Sequence, residues 1–197
     1  MADGPPVTGL LASALDALRS GLVVGMPTDT VYGIAADPLR AAAVERLFAI
    51  KGRPPDKPIP ILVADAAQAR RIGVLEARAA AAVDRYWPGA LTVVVRRIDG
   101  LPDWIGDPGA DTVGLRAPDH PVALALLRAF GPLAVTSANR SGEPAAPDDT
   151  AARAALGAAA ATYLPGAGSG GGSSTVVDLT GPESRVLRSG PIDWEER

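Results

Sequence analysis

An α/β fold, built on a single twisted, open, mixed sheet flanked by helices, is the architecture this sequence predicts, and three observations predict it. Amphipathic helical patterns alternate with short apolar runs along most of the chain. Runs such as "IPILVAD" and "LTVVVRR" lack a polar face, as strands covered on both sides should. And 197 residues, 47% hydrophobic and 21% charged, suit one domain with a sizeable core.

In chain order, Thr8 can cap a helix whose Leu10, Leu11, Ala14, Leu15 and Leu18 share one face, with Gly21 as its stop. "LVVGM" reads as a buried strand ending at Pro27, followed by "PTDTVYG", a loop dense in hydroxyls. Residues 37–50 read as a helix capped by Asp37, with Pro38 in the first turn and Val44, Leu47 and Phe48 on the buried side. "IPILVAD" is a strand, helical stretches run through "RYWPG", and "LTVVVRR" is the next strand. "TVGLRAP" is strand-like, "DHPVALALLRAFG" is a helix closed by glycine, and "PLAVTSAN" is a strand entering a polar turn. A capped helix from Asp148 to Leu156, a short strand near "TYLPG", and the strands "STVVDLT" and "RVLRSG" complete the order, with antiparallel edges expected near the C-terminus.

Composition excludes several chemistries. With no cysteine there is no thiolate nucleophile, disulfide or cysteine zinc site, and one histidine, His120, rules out a multi-histidine metal centre. His120 falls at a helix start and reads as structural. The N-terminus lacks a signal-peptide pattern and no apolar stretch reaches membrane-spanning length, so a cytoplasmic protein without membrane attachment is expected. A net charge of -3 does not favour broad binding to a nucleic-acid backbone.

Two features point to an anion site. Of 19 basic residues only Lys51 and Lys57 are lysines, and both lie in "IKGRPPDKPIP" with Arg53 between them. A compact ammonium is not exchangeable with arginine where it meets a phosphate oxygen at close range. Polar clusters also recur at the ends of apolar strands, "PTDTVYG" and "TSANRSG", where loops of an open α/β sheet converge on ligands. Read singly, Thr28, Asp29 and Thr30 are turn formers and Ser137 and Asn139 are caps. Together they supply hydroxyls, amides and cations, a set suited to carboxylate and phosphate rather than to acyl transfer through a side-chain nucleophile. "GAGSGGGSS", residues 166 to 174, satisfies G-x-G-x-x-G but opens a strand rather than a helix, so it reads as a mobile loop at the edge of a site.

"PTDTVYGIAADP", "IKGRPPDKPIPILVAD", "YWPGALTVVV", "TVGLRAPDHP", "TSANRSGEPA", "SSTVVDL" and "VLRSGPI", in this order, resemble the YrdC-like L-threonylcarbamoyladenylate synthase family in its short, single-domain form. The resemblance implies one YrdC-like domain over residues 1–197, core about 8–192, with a ligand cleft at the sheet's concave face. It implies formation of threonylcarbamoyl-AMP and pyrophosphate from L-threonine, bicarbonate and ATP with Mg²⁺, for the threonylcarbamoyladenosine modification of tRNA. It also implies downstream threonylcarbamoyl-transferase machinery as partner, with weak tRNA contact. A non-catalytic double-stranded RNA or tRNA-binding module and a carbamoyl-transfer domain are the competing readings.

By motif, the resemblance implies that Lys51, Arg53 and Lys57 face the ATP phosphates and serve catalysis. Thr112, Ser137, Asn139 and Arg188 join Arg53 and Lys57 at the nucleotide, and Thr30, Tyr32, Arg116 and Ser174 surround threonine, with Tyr32 as a wall. Trp87 reads as core. No residue is assigned to a metal or as general base. Leu62 stands where some relatives carry a histidine near the threonine site.

Overall fold

The structure, a computed structural model, describes residues 7–52, 58–168, 170 and 172–195. Helix α1 (Val7–Arg19) buries Ala14 and Leu18 and ends before Gly21, whose φ of 74° only glycine adopts freely. Thr8, expected as its cap, lies inside the first turn. Strand β1 (Val24–Met26) pairs antiparallel with β2 (Gly33–Ala36), a strand the sequence did not predict: Gly33 reads as the end of the loop and residues 34–36 carry no assignment. Helix α2 (Ala41–Lys51) starts later than expected, because the Asp37 carboxylate accepts from the Leu39 amide and turns the chain before the helix begins. Gly52, left-handed at φ 62°, closes it.

The rest of the order follows the sequence closely: β3 (Ile61–Leu62), α3 (Ala66–Ala69), α4 (Ala77–Tyr86), β4 (Leu91–Arg96), β5 (Thr112–Arg116), α5 (Pro121–Phe130), β6 (Leu133–Ser137), α6 (Asp149–Leu156), β7 (Thr162–Tyr163), β8 (Thr175–Asp178) and β9 (Arg185–Arg188). Asp148 caps α6 by accepting from the Ala151 amide at 2.8 Å. Among the described residues the strands form one mixed sheet in the order β7-β1-β2-β6-β3-β5-β4-β8-β9. β8 and β9 make the antiparallel C-terminal edge that was expected.

The two faces of the sheet are covered unequally, and this positions the site. One face carries the larger core, with Ile34, Leu47, Ile61, Leu91, Val93, Val113, Leu115 and Val177 buried beneath the side of α2, α4 and α6. On the other face α1 and α5 cover Val24, Met26, Ala35, Leu62, Leu133 and Val135, but no residue of β4, β5 or β8 joins that layer. Each fully buried leucine, such as Leu18 or Leu127, contributes about 1.5–3 kcal/mol to holding its helix there. The second face of β5, β4 and β8 is therefore left open beside the α1/α5 layer, as the floor of a cleft. No helix of the described residues is long and apolar enough to cross a membrane.

Candidate active site

Strand register decides which side chains reach that floor, because residues paired across neighbouring strands share a face. Leu62 pairs with Arg116, and Gly33 pairs with Ser137. Val93 pairs with Leu115, so the same register sets Thr92 across from Arg116. Arg116, Thr92, Ser137 and Leu62 thus lie on the open face, where they line a cleft of about 170 Å³ together with Thr28, Thr30, Lys51, Ser174 and Arg188.

Arg116 is at the centre. It is 5% exposed, and its whole fork is engaged: Nε donates to Gly89 O at 2.9 Å, Nη1 to Thr30 Oγ1 at 2.8 Å and Nη2 to Asp29 Oδ1 at 2.5 Å. Burial pulls its guanidinium below the ordinary arginine value, with Asp29 pulling the other way. Thr30 is fixed in turn by Thr28, whose hydroxyl lies 3.0 Å from Thr30 Oγ1 and donates to Val31 O at 2.7 Å.

Lys51 forms a second buried centre where α2 meets the turn after β6. Its Nζ donates to Ser137 O at 3.0 Å, Ser137 Oγ at 2.8 Å and Asn139 Oδ1 at 2.5 Å. Asn139 Nδ2 donates to the carbonyls of Arg140 and Glu143, so its amide is committed to shaping the turn. On the far side Thr92 Oγ1 lies 2.8 Å from Ser174 Oγ, which accepts from Arg188 Nη2 at 3.1 Å, while Arg188 Nε donates to Ser174 O at 3.0 Å. Among the described residues these three networks line the cleft with three cations, Lys51, Arg116 and Arg188, and Asp29 pairs with Arg116 from beside the lining.

A strap formed by the first residues of the glycine loop presses on this arrangement. Gly168 donates its amide to Pro147 O at 2.7 Å, and the Gly166 amide reaches Asp149 Oδ1 at 3.1 Å. A Cβ on Gly168 would stand 2.5 Å from Thr30 O, so only glycine allows the strap to lie this close to the threonine-rich loop.

Most, but not all, of the sequence-derived site residues converge. Thr30, Lys51, Arg116, Ser137, Ser174 and Arg188 line the cleft, and Asn139 braces it. Arg53 and Lys57 lie outside the described residues. Thr112 is on the same strand face as Arg116 but about 13 Å along β5, beyond the lining of the cleft. Tyr32, expected as a wall, is a correction: next to Gly33, it points to the opposite face, is 0% exposed in the main core and donates to Leu164 O at 2.7 Å. Trp87 packs against the core as expected, its Nε1 donating to Leu91 O. His120 precedes α5, with a buried Nδ1 that has no partner among the described residues. Thr28 and Asp29 were given no individual role, since the dense run of hydroxyl and carboxyl residues before Tyr32 reads singly as turn chemistry, and Thr92, set within the apolar strand β4, carried no signal of its own.

The family model named for Sua5, YciO and YrdC, described as "Telomere recombination", matches residues 16–190. The chain belongs to the Sua5/YciO/YrdC family. A Mycobacterium tuberculosis member, provisionally named a threonylcarbamoyl-AMP synthase, is 44% identical over 187 residues, 94% of this chain and 86% of that protein. A Vibrio cholerae member, named threonylcarbamoyl-AMP synthase, is 39% identical over 185 residues, 91% of this chain and 97% of that protein. Among solved Sua5/YciO/YrdC structures, P. abyssi Sua5 complexed with L-threonine superposes with a TM-score of 0.87 at 34% identity, covering 95% of this chain and 56% of that one. The chain therefore spans about half the length of that Sua5.

Proposed function

We propose that the chain is an L-threonylcarbamoyladenylate synthase, converting L-threonine, bicarbonate and ATP to threonylcarbamoyl-AMP, pyrophosphate and water. The single observation that carries this reading is the buried Arg116 fork, held by Thr30 in a cleft of hydroxyls and cations on the open face of a Sua5/YciO/YrdC sheet. A planar guanidinium in that setting is suited to a carboxylate ligand, and the names and the threonine complex of relatives supply the amino acid.

The reaction asks for positioning and charge compensation more than for a protein nucleophile. The amine of threonine loses a proton and is carboxylated by bicarbonate as water departs. An oxygen of the resulting N-carboxylate attacks the α-phosphorus of ATP while the bond to pyrophosphate breaks. Arg116 and Thr30 hold the amino acid, and Lys51 fixes the turn bearing Ser137 so that its hydroxyl meets the reacting groups in a set orientation. Arg188, fastened to Ser174, adds positive charge from the far wall. Arg53 and Lys57 are assigned to the phosphates from the motif they occupy. The nucleotide extends along β5 toward Thr112, across Gly114, where the strand face carries no side chain between Arg116 and Thr112.

Among the described residues no group of three His, Cys, Asp or Glu side chains could hold a metal. A Mg²⁺ would be carried by the triphosphate oxygens, with the cleft's hydroxyls rather than its cations as the protein oxygens that suit it, and would neutralise phosphate charge there. The product is a mixed anhydride that the tRNA threonylcarbamoyl-transferase machinery would consume. Incubation with labelled bicarbonate, ATP and Mg²⁺ tests the reading: label should enter an adenylate only when L-threonine is present, and incorporation independent of threonine, or none from folded protein, contradicts it.

A further inference from the structure

Four cleft-lining side chains come from four neighbouring strands: Arg116 on β5, Thr92 on β4, Ser174 at the head of β8 and Arg188 on β9. Thr92 lies across from Arg116 in the strand register, and Ser174 joins Thr92 to Arg188, so cations stand at the two ends and hydroxyls between them. Resting on the synthase reading above, we propose that Thr92 is a positioning residue for that reaction. It donates to Ser174, and so leaves the Ser174 proton directed at a carboxylate oxygen of the substrate held between Arg116 and Arg188.

A count of protons shows why a ligand is needed. Thr92 and Ser174 are 5% and 4% exposed, and their hydroxyl oxygens lie 2.8 Å apart. Each hydroxyl carries one proton and two lone pairs, and one of the two protons is spent between them. Arg188 Nη2 donates to Ser174 Oγ at 3.1 Å and accepts nothing back, since a guanidinium only donates. Among the described residues neither hydroxyl has a further partner, so the second proton is buried in the lining of the cleft without an acceptor from the protein. An unmet buried donor is costly, and a ligand oxygen is the acceptor that meets it. The direction follows from matching donors to acceptors. Donation from Arg188 polarises the Ser174 hydroxyl and makes it the stronger donor of the two. The stronger donor serves a charged oxygen, while Thr92 serves the neutral oxygen of Ser174. With both lone pairs of Ser174 filled, by Thr92 and by Arg188, its proton has one direction left. The flanking cations make the acceptor a carboxylate, either the amino acid's own or the N-carboxylate formed from bicarbonate.

The test compares the wild type, T92V, T92S, S174A and the T92V/S174A double variant. Calorimetric titration gives the affinities for L-threonine and for ATP, and pyrophosphate release gives the KM for bicarbonate. T92V keeps the shape and removes the proton. It should lose about 10- to 30-fold in threonine affinity where the acceptor is threonine's own carboxylate, or raise the bicarbonate KM by that factor where it is the N-carboxylate. ATP affinity should be unchanged in either case. T92S, which restores the hydroxyl, should stay within about threefold of the wild type. Because Thr92 acts through Ser174, the double variant should lose no more than S174A alone. Unchanged threonine affinity and bicarbonate KM in T92V would overturn the proposal. So would equal losses in T92S and T92V, which would make the packing of the Thr92 methyl the cause, additive losses in the double variant, or a parallel loss of ATP affinity. T92A takes the place of T92V, with the same expectations, if the valine does not fold. A wild type that bound ATP but no threonine would remove the amino-acid reading itself, whereas threonine binding that T92V leaves intact, with the bicarbonate KM also unmoved, removes only the role of Thr92.

Discussion

The Lys51 ammonium lies 2.8 Å from the Ser137 hydroxyl, so the last turn of α2 and the end of β6 are joined through one buried charge. With Ser137 O and Asn139 Oδ1 also accepting from it, the lysine is a brace for the nucleotide-side turn as much as a cation in the cleft.

Replacing it should therefore damage stability and activity together. K51M strands one buried and two part-buried acceptors, so urea unfolding should show a loss of about 2–3 kcal/mol. Threonine-dependent pyrophosphate release should fall by two orders of magnitude or more. K51R should not rescue, because a planar fork cannot meet three acceptors converging on one point. Wild-type stability in K51M would show that the brace is not formed.

Tyr32 separates structure from binding. Its hydroxyl serves Leu164 O on the face away from the cleft, and burial, ahead of any charge, pushes its phenol well above the ordinary tyrosine range. Y32F should cost about 1 kcal/mol of stability and leave the KM for threonine unchanged. A raised KM in a fully stable Y32F would return the side chain to the threonine site.

These two residues show what the sequence could and could not disclose. The alternation of helices and strands was legible because each carried its own apolar pattern and its own stop, such as Gly21, Gly52 and Gly131. Strand β2 was not, since Gly33, Ala35 and Ala36 have no strand signature; they are small because neighbours press close, and a Cβ on Gly33 would stand 2.9 Å from Val135 Cγ1. Missing β2 hid the register that pairs Gly33 with Ser137, and with it the fact that Tyr32 turns inward. Arg116, Ser137 and Ser174 were recognisable from their motifs, whereas Asp29 became visible only when β5 brought Arg116 to it from 87 residues away.

The strap offers a test by a single methyl. G168A places Cβ 2.5 Å from Thr30 O and 2.8 Å from Val31 Cα, so the strap or the threonine-rich loop must shift. Displacing Thr30 should lower kcat/KM for threonine by about 10- to 100-fold and leave ATP binding intact. G170A, where a Cβ meets nothing within 4 Å but a φ of 75° strains any residue other than glycine, is the control for backbone strain in the loop without the clash.

His120 sets an acid limit on stability. Burial holds it below the ordinary histidine value, with Asp29 and Asp119 pulling the other way. The unfolded chain therefore takes up this proton before the folded protein does. The contribution is complete above about pH 6.5 and is lost as pH falls through the lower folded value. Urea midpoints measured from pH 7.5 to 5 should decline less in H120Q than in the wild type; parallel declines would show that His120 is not held neutral.

The central claim, that this cleft joins an amino acid to a nucleotide through bicarbonate, is tested most directly by pyrophosphate release. Purified protein with ATP and Mg²⁺ should release pyrophosphate when both L-threonine and bicarbonate are present, with little release if either is omitted and little from R116A. Release that ignores threonine, or none at all from folded protein that binds ATP, would contradict it.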